Sequence, residues 1–409
     1  MNTQDFGKLL QEKGFKHFAG VPCSYLSPLI NWAINENALI MANNEGDAVA
    51  IASGISLMNR PKEFGVCFMQ NSGLTNAISP LTSLNATFEL PILGFVSLRG
   101  GENDEPQHAL MGNITKKMLL LCAVETAYLS KDLKQAHQQL NQALRVLKSG
   151  KSFFFMVRKN VFEKVVLNEQ NPPTLKNEYV SEYPLSSNLP SLKKVLKVIQ
   201  RYSDDYLTLA TTGFTSRVLF DLQDNPNQLY MTGSMGCVSA LALGVSLKTS
   251  VPVMAIDGDS ALLMRLGTLP ANAFYARNKR FCHIVLNNSC HLSTGGQANL
   301  SPCVNFAQIA ASCGYHFCAS LSSLEDLEEA LHFVSYGFNE TAFIEVKTNA
   351  TPPKKLSRPN VAPKDVALRF QKWAKKRPKQ KQKLIEEFKQ KQREELEQQQ
   401  REELEQQQD

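Results

Sequence analysis

Apolar runs that stop short and give way to helical patterns recur along this chain, and that alternation restricts it to an α/β fold before any single residue is weighed. Runs at Phe15 to Ala19, Leu39 to Ala42, Phe64 to Met69, Ile92 to Ser97 and Phe153 to Val157 read as buried strands of one parallel sheet. A helix is predicted over Asp5 to Lys13, ended by Gly14, and another over Ala48 to Met58. From about Asn168 to Pro190 the composition turns to Asn, Pro, Ser and Tyr, as in a linker, and a second alternating series runs from Ser191 to about Val346. Two α/β halves are therefore expected, residues 1–167 and 191–350, joined by residues 168–190 and followed by a tail over 351–409. A chain of 409 residues with 43% hydrophobic content can fill a core in each half.

The sharpest local pattern is Asp257-Gly258-Asp259-Ser260, which follows the apolar run Val253 to Ile256. One strand-helix unit later, Asn287-Asn288 follows the run Ile284 to Leu286. Two strand ends would so present oxygen ligands side by side, in the crevice where open parallel sheets bind ligands and helix N-termini offer unpaired N–H groups to phosphate. An Asp carboxylate, an Asn side-chain oxygen and a nearby backbone carbonyl make a half-shell of hard oxygens. Such a shell suits octahedral magnesium, with diphosphate oxygens and water completing it. Either dipeptide alone is an ordinary turn signal. Spacing and strand context together point to a magnesium-held diphosphate cofactor.

Gly258-Asp259-Ser260 followed by Asn287-Asn288 resembles the Gly-Asp-Gly to Asn-Asn signature of thiamine diphosphate enzymes, with Ser260 where the third glycine is usual. Glycine there lets the backbone approach phosphate closely, whereas serine can donate through its hydroxyl. Such enzymes also need a carboxylic acid that pushes the aminopyrimidine ring to its imino tautomer. Asn44-Glu45-Gly46-Asp47, between the run Leu39 to Ala42 and the helical pattern after it, resembles the turn that carries this acid. The resemblance assigns Glu45 the contact to the pyrimidine N1′. It further implies that Met235, in Gly233-Ser234-Met235-Gly236, wedges between the cofactor rings and that the Gly233 carbonyl accepts from the 4′-amino group. Thr212 and Gly213, with Ser260 and Ala261, would contact the phosphates, and magnesium would take Asp259, Asn288 and the carbonyl of Cys290.

Longer strings narrow the family. Gly20-Val21-Pro22-Cys23-Ser24, Asp104-Glu105-Pro106-Gln107-His108 and Ser293-Thr294-Gly295-Gly296-Gln297 resemble phosphonopyruvate decarboxylases and the related sulfopyruvate decarboxylases, over roughly residues 1–350. The resemblance implies two thiamine diphosphate-binding domains and decarboxylation of a 2-oxo acid that carries a phosphonate or sulfonate, with the thiazolium as electron sink. Many thiamine decarboxylases have an acid where Ser24 stands, so His108 is the leading proton donor. Ser24, Arg99, Arg265 and the Thr294-Gly295-Gly296 loop are candidates for holding the substrate anion. Active sites shared between subunits, hence a homo-oligomer, are also implied. The choice between phosphonopyruvate and sulfopyruvate stays open, as does a non-catalytic cofactor-binding scaffold. A nicotinamide dehydrogenase is disfavoured by the lack of Gly-x-Gly-x-x-Gly after an early strand.

Composition adds exclusions. The 9 cysteines are scattered singly and the N-terminus lacks an apolar stretch, which points to a reducing, cytoplasmic setting. Cys290, Cys303, Cys313 and Cys318 match no common zinc spacing. No apolar window approaches a membrane span. A net charge of +6 is too modest to imply nucleic-acid binding. After about Ala350 the chain becomes Pro- and Lys-rich, and then the string from Arg393 to Gln400 recurs from Arg401 to Gln408, with leucines only at Leu396 and Leu404. That spacing is too sparse for a coiled coil, so a solvated helix or disordered extension is expected. Basic residues between Lys354 and Lys383 would be available to an acidic partner. Removal of everything after Lys364 is expected to leave turnover intact.

Overall fold

A computed structural model describes residues 1–170, 174, 177, 179–336, 338–354 and 356–377. The repeated string from Arg393 to Gln408 lies outside the described residues, as does the basic sequence from position 378 onward. Strands β1 (Phe18–Gly20), β2 (Leu39–Met41), β3 (Val66–Gln70), β4 (Leu93–Ser97), β5 (Glu125–Tyr128) and β6 (Phe153–Val157) form one parallel sheet. A second is built from β7 (Leu207–Ala210), β8 (Gln228–Tyr230), β9 (Val253–Gly258), β10 (Phe281–Asn287), β13 (Phe317–Leu321) and β14 (Thr341–Lys347). Between β10 and β13, β11 (Cys290–His291) and β12 (Gln297–Ala298) make a small antiparallel ribbon.

Neighbouring strands run β2-β1-β3-β4-β6-β5 in the first sheet and β8-β7-β9-β10-β14-β13 in the second, so the second half repeats the winding of the first. In each sheet the order of addition reverses beside the first strand, between β1 and β3 and between β7 and β9. Open α/β sheets bind ligands beyond the carboxyl ends of strands at such switch points. The expected strands are present, with ends shifted by a residue or a few. β5 shows no apolar run in the sequence for a physical reason: it is an edge strand paired only with β6, and none of its 4 residues is buried.

The helix Glu45–Asn59 is apolar nearly all round and buried from Gly46 to Met58, as a helix without a polar face must be. It packs against Val238–Ser246, which is buried along its whole length. The two meet backbone to backbone. A Cβ added to Gly54 would lie 2.3 Å from the Leu241 carbonyl oxygen, and one added to Gly244 would lie 2.1 Å from that of Ile51. One hydrophobic core therefore runs through both halves, from Ile51 and Ile55 through Leu241 and Val245 to Ile256 and Ile344. A second core, with Phe6, Phe18, Phe95, Phe155 and Phe162, covers the other face of the first sheet. Each large side chain so removed from water contributes about 1.5–3 kcal/mol.

The start of the tail departs from expectation. Residues 363–377 are helical, and Val366, Ala367, Phe370 and Ala374 on that helix are buried in the core shared by the halves. Its polar side chains reach both halves. Gln371 donates to the Arg60 carbonyl at 3.0 Å and Lys364 lies 3.4 Å from Glu89, while Arg369 pairs with Asp224 and Arg377 with Asp205. A reading by composition takes this segment for solvated because lysine and arginine dominate it, yet its few apolar residues fall on one helical stripe. Among the described residues, no helix is long and apolar enough to cross a membrane.

Candidate active site

At the carboxyl ends of β7, β9 and β10 lies a cavity of about 290 Å³. β7 leads into the turn Thr211 to Gly213, where Gly213 holds φ at 90°, a conformation costly to any residue with a Cβ. β9 leads into the short helix Asp259–Met264, and β10 ends at Asn287, beside Asn288. Thr212, Gly213, Met235, Asp259 and Asn288 all line the cavity, and so do Ser260, Ala261, Cys290 and Thr294. Residues that the sequence scatters over the ends of four strands, β7 to β10, thus share one wall. Gly295 and Gly296 continue from Thr294 into the β11–β12 turn, both with positive φ. Gly233 stands off the wall, and its neighbour Ser234 meets Ser83 of the first half, hydroxyl to hydroxyl, at 2.7 Å.

Asp259 is the centre of this arrangement. Its side chain is only 4% exposed, a position a carboxylate tolerates when donors surround it. Oδ2 accepts from the Ser289 backbone at 2.9 Å, the Asn299 amide at 3.0 Å and the Ser301 hydroxyl at 3.0 Å. Oδ1 accepts from the Ser260 backbone at 2.7 Å and otherwise meets only the Ser260 hydroxyl, 3.5 Å away, so it stays open to a closer ligand. The two asparagines divide their roles. Asn287 is buried, accepts from Ser289 and Ser301, and donates to Glu345 at 2.6 Å, so it braces the loop. Asn288 faces the cavity, its Oδ1 receiving the Cys290 backbone N–H at 3.1 Å. The Ser260 hydroxyl accepts from Asn299 at 2.6 Å.

Asn299 and Ser301 escaped the sequence reading because they sit in polar, loop-like sequence with no motif of their own. His283 escaped it too, hidden in an apolar strand. It lies fully buried beneath the loop, its Nε2 3.6 Å from Oδ2 of the equally buried Asp257.

The first half gathers a different set. Glu45 opens its helix, capped by Asn44, whose Oδ1 accepts from the Gly46 N–H at 2.8 Å. The Glu45 Oε2 accepts from the Asn76 amide at 2.9 Å. Its other oxygen lies over Gly73, where a Cβ would stand 2.0 Å from Oε1. One turn in, Asp47 is 2% exposed, and burial pushes its carboxyl up to about 6 against the opposing pull of Arg265, with Glu45 adding to the rise. Arg265, a sequence candidate for the substrate anion, spends its guanidinium across the halves. It lies 3.2 Å from Asp47, donates to Asn44, and reaches the Asn76 carbonyl at 3.4 Å.

Arg99 grips Asp104 through Nε at 2.8 and 3.0 Å and Nη2 at 2.5 Å, which holds that carboxyl well below the usual range. The guanidinium lies over the Tyr25 ring at 4.9 Å, and Nη1 is 3.4 Å from the Ser24 hydroxyl. His108 is buried, with Nε2 3.3 Å from Glu105 and Nδ1 without a partner among the described residues. Ser24 and Arg99 line a second cavity of about 650 Å³, together with Lys159 and Lys164. Glu45 and His108 line neither cavity, and the residues around the smaller one all fall between Leu192 and Thr348.

The donor set suits the group that the motifs imply. A carboxylate with one oxygen open to a closer ligand, an amide oxygen and an adjacent backbone carbonyl are oxygen ligands of the kind magnesium takes. The turn at Gly213 brings backbone to the same wall, and Met235 with Leu286 supplies its apolar part. Family models match a stretch of each half. Residues 3–119 match the thiamine pyrophosphate enzyme N-terminal TPP binding domain, and residues 211–346 match the C-terminal TPP binding domain. The phosphonopyruvate decarboxylase of Streptomyces viridochromogenes is 36% identical over 87% of this chain and 91% of its own. The sulfopyruvate decarboxylase of Methanosarcina acetivorans is 26% identical over 89% of this chain and 95% of its own. Among solved structures, benzoylformate decarboxylase from Polynucleobacter necessarius superposes with a TM-score of 0.67 at 12% identity, covering 86% of this chain and 100% of that one.

Proposed function

The chain belongs to the phosphonopyruvate decarboxylase family of thiamine diphosphate enzymes, and on that premise we propose that it converts 3-phosphonopyruvate to 2-phosphonoacetaldehyde and carbon dioxide, with Mg²⁺ holding the cofactor. The observation that carries the substrate is the likeness, along nearly the whole chain, to a phosphonopyruvate decarboxylase, greater than the likeness to the sulfopyruvate enzyme. That second, also nearly full-length relative supports sulfopyruvate as the other reading.

Asp259, Asn288 and the Cys290 carbonyl would hold the metal. Thr212, Gly213, Ser260 and Ala261 would face the diphosphate, Met235 would fill the gap between the rings, and the Gly233 carbonyl would meet the 4′-amino group. When bound, the cofactor supplies a thiazolium that accepts the electron pair released with carbon dioxide. Every other part of the task falls to the chain. Glu45 would share a proton with the pyrimidine N1′ through Oε1, because Oε2 is already occupied by Asn76. No residue of the first half lines the cofactor cavity, so this carboxyl would come from a second copy of the chain in a homo-oligomer. The Arg265–Asp47 pair would fix the start of the helix that carries it.

His108, steadied by Glu105 at Nε2, would deliver a proton from Nδ1 to the carbon that carbon dioxide leaves. Arg99 keeps Nη1 clear of Asp104 and beside Ser24, a pair that would receive the phosphonate. Carbon dioxide release from phosphonopyruvate, sulfopyruvate and pyruvate, each with thiamine diphosphate and Mg²⁺, tests the reading. The highest kcat/KM is expected for phosphonopyruvate. A preference for sulfopyruvate selects the second reading, and no release from any of the three sinks both.

A further inference from the structure

A further cavity lies at the other end of the molecule from the loops that follow β7, β9 and β10. It is about 700 Å³ and opens between the segment that precedes β1, the segment that precedes β3 and the C-terminal helix at residues 363–377. Lys13, Lys16, Lys62 and Lys375 line it, with Glu12 and Glu63. Glu63 does not balance these lysines. Its carboxylate lies 2.6 Å from Lys248, 2.8 Å from His17 Nδ1 and 2.8 Å from the Asn59 amide, and although burial raises it, those partners bring it down to about 2. Its charge is therefore present and already matched by Lys248. Four ammonium groups remain against Glu12.

Like charges are left facing one another. Lys375 is held below its ordinary value, first by burial and then by the charges of Lys62 and Arg60. The walls are firm on the first-half side, where a Cβ on Gly14 would come within 2.5 Å of the Lys62 carbonyl oxygen, so the two segments already touch backbone to backbone. On the other side Gln371, one helical turn before Lys375, donates to the Arg60 carbonyl at 3.0 Å. We propose that this cavity is a binding site for a multivalent phosphate-bearing anion. Ammonium groups act as compact point charges toward phosphate oxygens, and several of them around one cavity favour an anion that presents several phosphates. The volume falls within the range of small-ligand sites. A ligand here would join the first half to the helix that already ties both halves together.

The test is calorimetric titration of the full chain with magnesium tripolyphosphate in excess Mg²⁺, with thiamine diphosphate saturating so that the cofactor cavity is filled. One saturable site per chain is expected, weakening as salt rises from 50 to 200 mM, as a contact made by several charges must. Lys62→Glu/Lys375→Glu should weaken it at least about tenfold, since two attractive charges become two repulsive ones. Lys131→Glu/Lys134→Glu, the same charge change elsewhere, should leave it unaltered. Should the first variant fold poorly, Lys13→Glu/Lys16→Glu must show the same loss. MgATP serves as a second probe: equal affinity identifies the phosphate chain itself as the ligand, and much tighter binding identifies a nucleotide. No saturable binding, or binding that survives both charge-reversed variants, overturns the proposal.

Discussion

The two halves of this molecule share one winding order yet use the polar groups at their strand ends in opposite ways. In the second half these groups converge: Ser289, Asn299 and Ser301 all donate to Asp259, and Asn287 braces the loop from below. The outcome is a carboxylate held rigidly in the wall of a cavity. In the first half they form two small groups: Arg99 meets Asp104 and Glu105, which also meets His108, while Asn76 holds Glu45 and is reached by Arg265 of the second half, which pairs with Asp47. Glu45 does not line the cavity at the strand ends of the second half. Identical topology thus carries different chemistry, because function resides in the loops that the sheets position. On the proposed reading, one half would be a preorganised anchor and the other would present reactive groups to it.

The sharpest way to break that division is Glu45→Gln. If the first half activates and the second half anchors, kcat should fall by about 10²–10⁴-fold, the range for loss of a proton-transfer group, while cofactor affinity stays within a few-fold. Calorimetry with steady-state kinetics separates the two, and an equal loss in both would merge the roles. Asp259→Ala is the converse. Removing one member of a buried hydrogen-bonded charge site costs roughly 2–5 kcal/mol, so Mg²⁺-dependent cofactor binding should weaken about 30-fold or more while the fold survives. Unchanged binding would show that the second half is not the anchor.

The C-terminal helix tests whether the halves behave as one body. Truncation after residue 362 withdraws Val366 and Phe370 from the shared core, at roughly 4 kcal/mol for the two, and calorimetric melting should fall by many degrees or split into two transitions. The tail read from composition alone predicts no change. Acid should weaken the same seam through Glu63, which His17 and Asn59 of the first half hold together with Lys248 of the second. Its carboxyl lies at about 2 in the folded chain against 4.5 ordinarily, so its contribution is complete above pH 4.5 and is lost as pH falls toward 2. Glu63→Gln should remove about 3 kcal/mol at neutral pH and flatten that acid limb in denaturant titrations. The smallest expected effect is Asn299→Ala, which leaves Asp259 and Asn288, the proposed ligands, in place but frees the Asp259 carboxylate to turn. Magnesium affinity should drop about 10-fold, the lower end for an outer partner of a metal ligand.

Much of this was readable beforehand wherever local sequence carries the reason. The strands at Phe64, Ile92 and Phe153 announce themselves by apolar runs because both their faces are buried, whereas β5 hides because it is an edge strand with no buried residue. That Asp259 and Asn288 stand at neighbouring strand ends was legible because the turns there are written in adjacent residues. Asn299, Ser301 and His283 were not, since their partners lie far away in the chain and their own neighbours are commonplace. The helix after Lys364 was misread because charge counts say nothing of which face the few apolar side chains share.

The chain alone therefore determined the α/β alternation, the division into two halves and the oxygen-rich turns, all of which follow from periodicity and from contacts a few residues apart. Only the folded chain decided that both halves wind alike, that Gly54 and Gly244 let their helices touch, that Arg265 binds Asp47, and that four lysines from three segments ring one cavity. Those outcomes depend on which distant surfaces pack together, a quantity set by the summed burial of the whole core and by no local string of residues.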